Sequence, residues 1–253
     1  MLLVVDIGNT NITLGFFEGD DYVKEIRLAS DRDLTQDEYE NIFNSILKDY
    51  QIDGCVIGSV VDELNSVVKN SLDAVLGCES LFVDNKIDSG VVVKIDNPEE
   101  LGADRIANAV AAVVEYDGAV IVVDFGTATS FDVISKNREF LGGVIAPGVR
   151  TQLNSLNIAT SKLPKISPQC PNNAIGTNTK DAVLSGVIRG TAHMADGIIS
   201  DCEKELGQKV FIVATGGNSS LVTKYMSRKI DKIDPIFTLK GFKYIYQRNF
   251  KSG

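Results

Sequence analysis

Val4-Val5-Asp6-Ile7-Gly8 opens the chain as an apolar strand running into an Asp-x-Gly turn, and Val122-Val123-Asp124-Phe125-Gly126 repeats the device near mid-chain. Threonines follow both turns, Thr10 in the first and Thr127 and Thr129 in the second. Working outward, Leu2 to Asp6, Ile12 to Phe17 and Tyr22 to Ala29 read as three strands with a hairpin signal at Glu18-Gly19-Asp20-Asp21. Tyr39, Ile42, Phe43, Ile46 and Leu47 lie at helical spacing, which predicts a helix over 35–50. Further strands are expected at 55–60, 80–83 and 91–95, with helices over 63–76 and within 97–116. The second half restarts with strands at 119–124, 129–135 and 139–145. Helices follow at 147–156 and 180–205, a strand at 210–214, and helices at 219–226 and 241–248. Three strands followed by helix and strand thus occur twice. The expectation is an α/β chain of two duplicated domains, 1–117 and 118–253, with mixed sheets facing a central cleft. So short a repeat also arises by chance, because apolar strands often end at Asp or Gly turns.

The 253 residues carry 25 Lys+Arg against 34 Asp+Glu, a formal charge of −9, with 44% apolar and 23% charged residues. That balance supports a buried core and excludes fibrous and disordered classes. The negative charge repels phosphate backbones and anionic lipid, so neither nucleic acid nor membrane is expected as a partner. The start has no basic region, and no apolar run approaches the roughly 18 residues that span a bilayer. A cytoplasmic protein is the expectation. Cys55, Cys78, Cys170 and Cys202 are scattered without a C-x-x-C pair, and His193 is the only histidine. Neither a zinc site nor a His-based triad is expected, and His193 reads as a packed or capping residue.

The turns carry the chemistry. Asp6-Ile7-Gly8-Asn9-Thr10-Asn11 places a carboxylate at a strand end, then a conformationally free glycine, then small polar side chains. Such a turn can aim backbone N–H groups at a phosphate while Asp6 holds Mg²⁺ through water; the same residues also suit a plain β-turn. Asp124-Phe125-Gly126-Thr127-Ala128-Thr129-Ser130 offers the second grip. Ala214-Thr215-Gly216-Gly217-Asn218 leads from a strand into a helix and suits a nucleotide, or an ordinary connection. In Gly102-Ala103-Asp104-Arg105, at a helix start, a carboxylate can take a hydroxyl proton and a guanidinium can hold an anion. Asp104 can equally be a helix-end residue favoured by the dipole, with Asn108 beside it on the polar face. Gly142 to Gly148 predicts a sharp bend after Leu141, either a substrate wall around Gly143 or a tight turn.

Taken together, Asp6-Ile7-Gly8-Asn9-Thr10, Gly102-Ala103-Asp104-Arg105, Asp124 to Thr129, Gly142 to Gly148 and Thr215-Gly216-Gly217 resemble the type III pantothenate kinases of the acetate and sugar kinase, chaperone and actin superfamily. The resemblance implies ribonuclease-H-like (actin-like ATPase) domains and ATP-dependent phosphorylation of the 4′-hydroxyl of pantothenate, the first step toward coenzyme A. It implies Asp104 as general base, with Gly102, Ala103, Asp104, Arg105, Gly143 and Thr179 on pantothenate. It also implies Asp6, Ile7, Gly8, Asn9, Thr10, Asn11, Ile12, Thr13, Thr127, Gly216 and Gly217 on ATP. The cofactors it implies are ATP, Mg²⁺ or Mn²⁺ at Asp6 through water, and K⁺ or NH₄⁺ at Asp124; the assembly it implies is a homodimer. Glu99 stands where many members have a tyrosine that touches substrate, and Ser130 where threonine is usual. Two other readings share the fold: a polyphosphate or nucleotide phosphatase, and a nucleotide-binding regulatory or accessory protein.

Overall fold

The computed structural model describes residues 1–250. They fall into two compact units, one of Met1–Val91, Asp96–Val114 and the chain from Thr238 onward, the other of Val92–Ile95 and Glu115–Phe237. The first is built on β1 (Leu2–Ile7), β2 (Asn11–Glu18) and β3 (Asp21–Ala29), then α1 (Gln36–Leu47), β4 (Gly54–Ser59), α2 (Asp62–Leu76) and β5 (Leu81–Val83). The sheet order is β3-β2-β1-β4-β5; β1 to β3 form an antiparallel meander, and β4 and β5 extend β1 in parallel. A central strand covered on both faces must be apolar throughout, and Leu3, Val4, Val5 and Ile7 are completely buried. Leu3, Val5 and Ile7 share a core with Tyr39 and Phe43 of α1 and Leu64, Val68 and Leu72 of α2. α1 begins in a capping box: the Glu38 N–H donates to Thr35 Oγ1 at 3.4 Å and the Thr35 N–H to Glu38 Oε2 at 2.8 Å.

The chain then gives β6 (Val92–Val93), a 3₁₀ turn at Pro98–Glu100 and α3 (Ala103–Glu115). The single helical stretch expected over 97–116 is interrupted at Leu101-Gly102, so that Gly102 immediately precedes α3. Asn108, expected on the polar face, is buried, and its Oδ1 accepts the Thr238 hydroxyl at 2.9 Å.

The second unit repeats the plan. β7 (Val120–Phe125), β8 (Ala128–Ile134) and β9 (Glu139–Pro147) form an antiparallel meander, followed by α4 (Val149–Ala159) and α5 (Thr179–Leu184). A π-helical turn, Ser185–Arg189, leads into α6 (Gly190–Leu206), and then come β10 (Phe211–Thr215), α7 (Ser219–Val222), a 3₁₀ turn at Thr223–Tyr225 and β11 (Lys232–Ile233). The sheet order is β11-β10-β7-β8-β9-β6, with β10 parallel to β7 and β11 parallel to β10. Apart from β6 at one edge, this is the connectivity of the first sheet. Ile121, Val123 and Phe125 pack with Phe131 and with Leu184, Ile188, Ala192 and Ile199 of the covering helices.

Four expectations are corrected here. β9 does not bend away after Leu141: it continues to Pro147, and Leu141 is an extra residue in a bulge opposite Val133 and Ile134, with Gly142 at φ 130°. The helix expected over 180–205 is divided by the π-helical turn, and the helix after Ser219 loses its α geometry at Thr223. His193 is exposed on α6 rather than packed. β11 had no signal, since two residues are too few to show a period.

α8 (Phe237–Phe250) is longer than the 241–248 expected, and from Thr238 onward it belongs to the first unit. The cause lies in two glycines of β4 and one of α8 itself. A Cβ at Gly58 would overlap the Phe242 ring, one at Gly54 would overlap Tyr246, and one at Gly241 would overlap the Ala107 backbone of α3. Phe242 is fully buried, and the nearly buried Lys243 donates to Asp20 Oδ1 at 2.9 Å while lying over the Phe17 ring. Among the described residues no helix is long and apolar enough to cross a membrane. Gly58→Ala should destabilise the protein by about 1–3 kcal/mol through overpacking, and Phe242→Ala by about 3–5 kcal/mol through a cavity. Because the two side chains compete for one volume, the double variant should lose less than the sum. Strict additivity in urea midpoints would show that Phe242 does not fill the space over Gly58.

Candidate active site

In the first unit Asp6 ends β1, and register places it in a cross-strand row. Asp6 lies opposite Thr13 of β2 and Gly58 of β4, and Thr13 lies opposite Arg27 of β3. Side chains so paired share a sheet face. Burial raises the Asp6 pKa most, the charge of Asp104 raises it further, and Arg27 opposes both, leaving it at about 7. Sequence reading missed Arg27; its only signal was its place in a half-buried strand.

The turn after Asp6 is held from one side. The Gly8 N–H donates to Asn11 O at 3.0 Å, the Ser30 hydroxyl donates to Gly8 O, and the Ser30 N–H donates to Thr10 O at 3.1 Å. Asn9, Thr10 and Asn11 are exposed at its tip, whereas Ile7 and Ile12 bury their side chains in the core and can offer a ligand only backbone.

Asp104 occupies the first turn of α3. Gly102 O accepts from both the Arg105 and Ile106 N–H groups at 3.1 Å, and Asp104 Oδ1 accepts the Arg105 N–H at 2.8 Å. A Cβ on Gly102 would stand 2.7 Å from that oxygen and 3.2 Å from Val60, so glycine gives the carboxylate its room. Burial pushes the Asp104 pKa up, against the pull of the Arg105 amide and guanidinium. Ala103 is buried and Arg105 half-buried. Glu99 is exposed in the preceding 3₁₀ turn. The first unit therefore brings together two carboxylates of raised pKa, an adjoining guanidinium and an exposed polar turn.

In the second unit Asp124 is Asp6's counterpart, with Ser130 and Thr215 beside it in register. Its Oδ1 would stand 3.3 Å from a Cβ on Gly126 and would overlap one on Gly216, whose φ of 85° also requires glycine. Asn218 clamps the two turns together, donating both its backbone N–H and its Nδ2 to Phe125 O at 3.1 Å. On the other side the Gly148 N–H and the Thr151 hydroxyl donate to Thr127 O at 3.1 and 2.7 Å. Thr127 and Gly217 are exposed. The buried hydroxyls of Thr129 and Thr215 have no hydrogen-bond partner. A carboxylate with an unsatisfied buried hydroxyl beside it is an oxygen donor set suited to a hard cation. Gly143, opposite Asp132, is exposed two residues along β9 from Ile145, the residue opposite Ser130. Thr179 is the exposed first residue of α5, preceded by Asn178, whose side chain accepts the Asp181 N–H at 2.9 Å. Asn218 was not among the expected site residues, although it adjoins the Gly216-Gly217 pair.

A family model described as type III pantothenate kinase matches residues 2–201. The type III pantothenate kinase of Moorella thermoacetica is 41% identical to the chain over 98% of the chain and 100% of that protein. Among solved structures, a Baf family transcriptional activator from Campylobacter jejuni superposes with a TM-score of 0.60 at 22% identity, covering 98% of each chain. A ROK family glucokinase from Streptomyces griseus gives a TM-score of 0.56 at 12% identity, covering 95% of this chain and 97% of its own. At those identities the structural likeness is one of fold, the actin-like α/β fold that the paired sheet topologies display. The sequence likeness extends further, to 41% identity over 98% of the chain, and by it and the family model the chain belongs to the type III pantothenate kinase family.

Proposed function

We propose that the chain transfers the γ-phosphoryl group of ATP to the 4′-hydroxyl of pantothenate, and that Asp104 is the general base. The observation that carries the assignment of Asp104 is its raised pKa beside Asp6 at the Gly102 to Arg105 segment. A more basic carboxylate is a better proton acceptor at neutral pH. Arg105 holds the pantothenate carboxylate, with Gly102, Ala103, Gly143 and Thr179 as further substrate contacts. The hydroxyl oxygen forms its bond to the γ-phosphorus as the bond to ADP breaks, and the hydroxyl proton passes to Asp104 Oδ.

The exposed turn from Gly8 to Asn11, with Thr13 on the Asp6 row, receives the ATP phosphates; Thr127, Gly216 and Gly217 supply further nucleotide contacts. Asp6 is the residue to hold Mg²⁺ or Mn²⁺ through water, where the ion would neutralise phosphate charge. Asp124, with Thr215 beside it, is the residue to hold K⁺ or NH₄⁺, supported by the unpartnered Thr215 hydroxyl. We place the reaction in the cytoplasm and assign a homodimer.

Purified protein with ATP, Mg²⁺ and pantothenate should form ADP and 4′-phosphopantothenate together. ADP without phosphopantothenate would instead make it a phosphatase, and ATP binding without turnover a regulatory protein. Asp104→Asn should lower kcat by about 100-fold or more with ATP binding little changed; turnover at the wild-type rate would remove Asp104 from its role. Asp124→Ala should weaken ATP use and abolish the preference for K⁺ over Na⁺, and an unaltered preference would place the monovalent site elsewhere.

Asp6 also sets a pH dependence of stability. Below about pH 4 the carboxyl is protonated both folded and unfolded and contributes nothing. Between 3.8 and about 7 the folded state keeps a proton that the unfolded state releases, so this group's contribution turns against folding as pH rises. The penalty is complete above about 7 and amounts to at most a few kcal/mol. Without divalent cation, Asp6→Asn should therefore match the wild-type Tm near pH 4 and exceed it at pH 8. A constant difference across that range would contradict the raised pKa.

A further inference from the structure

In the second unit, the chain leaving α7 and its 3₁₀ turn doubles back into β11 and borders an open surface cavity of about 520 Å³. Lys224, Arg228 and Lys229 line it, with the Ser220 hydroxyl, while Ile230 and Ile233 give it an apolar wall. No carboxylate lines it, in a chain whose formal charge is −9. The nearby acids are spent elsewhere. Asp196 accepts the Ser227 and Arg228 N–H groups at 2.6 and 3.2 Å, Asp231 the Ile212 N–H at 2.9 Å, and the buried Asp234 the Ile236 N–H at 3.1 Å.

Arg228 is anchored through Nη1 to the buried Glu203 at 2.7 Å, and that same carboxylate takes Lys209 at 2.9 Å. The anchor fixes the guanidinium at the cavity while its remaining N–H groups stay available as donors. Lys224 Nζ contacts Cys170 Sγ at 3.6 Å, and Lys229 makes no ion pair among the described residues. With Arg228 balanced by Glu203, Lys224 and Lys229 are the two cations at the cavity without an ion pair among the described residues, and an anion between them relieves their mutual repulsion. The volume lies within the range of small-molecule sites.

We propose that this cavity binds a small organic phosphate, its phosphoryl oxygens held by Lys224, Arg228, Lys229 and Ser220 and its apolar portion on Ile230 and Ile233. The site is additional to the nucleotide contacts proposed above at Gly216 and Gly217, and pantothenate phosphorylation does not pass through its residues. The test is an amide-shift titration of the full chain by NMR with phenyl phosphate as the probe, in saturating non-hydrolysable ATP analogue. Saturable shifts confined to 220–233 are expected in the wild type. Lys229→Glu should weaken binding at least tenfold, Lys229→Gln by less, and benzyl alcohol should not saturate. Lys229 is exposed, so both variants should retain the wild-type circular dichroism. Equal affinity in Lys229→Glu, shifts that do not saturate, or displacement of the probe by the ATP analogue would each overturn the proposal.

Discussion

A carboxylate at the end of a largely buried central strand is costly, because desolvation disfavours its charge. Much of the first unit is arranged around that cost at Asp6. Arg27 stands two strands away on the same row, Thr13 lies between them, and Gly58 on the other side has no side chain to compete for space. The compensation is incomplete, since Arg27 is outweighed by burial and by Asp104. A better-neutralised Asp6 would stabilise the fold but would be a weaker attractor for a cation and for the phosphates that accompany it. The residual strain is thus electrostatic rather than conformational, and it sits at the turn where polar groups are exposed.

The second sheet meets the same problem differently. Its corresponding row reads Ile145, Ser130, Asp124, Thr215 where the first reads Arg27, Thr13, Asp6, Gly58. A guanidinium is replaced by an aliphatic side chain and a glycine by a threonine whose hydroxyl is buried without a partner. One copy of the plan faces a second carboxylate and an arginine, the other a set of neutral oxygens. Duplicated topology with this divergence gives the two aspartates different surroundings, which fit the divalent site proposed at the first and the monovalent site proposed at the second. The glycines diverge as well, since Gly58 makes room for Phe242 whereas Gly216 yields to the Asp124 carboxylate itself.

The strands β1, β2, β7 and β8 were legible because buried apolar runs ending in Asp-x-Gly leave little else to read, and α1 because its apolar period and polar start agree. The path of β9 was not, because Gly142 and Gly143 look like strand breakers until the bulge at Leu141 gives them a place. The alliance of α8 with the first unit was hidden too. Its evidence is Gly54, Gly58 and Gly241, residues far apart in sequence that acquire meaning only when Tyr246 and Phe242 are seen to occupy the space they vacate. Asp6, Asp104 and Asp124 were legible as carboxylates at two turns and a helix start, whereas Arg27 and Asn218 act through register and a turn contact, which no local pattern encodes. Asn108 shows the converse error: a polar residue at the rim of a helical face was read as exposed, but a hydrogen bond from Thr238 supports it in the core.

These features bear on how a site of this kind can be both stable and reactive. With a pKa near neutrality even in the presence of Arg27, Asp6 is charged in only part of the molecules at neutral pH. Positive charge brought to it favours the ionised form and drives its proton off, so cation binding and deprotonation are linked. The charge of Asp104 in turn raises the Asp6 pKa, so the two carboxyls titrate as a linked pair. Arg105, the next residue along the chain, opposes the effect of burial on Asp104, first through its backbone N–H and then through its guanidinium charge.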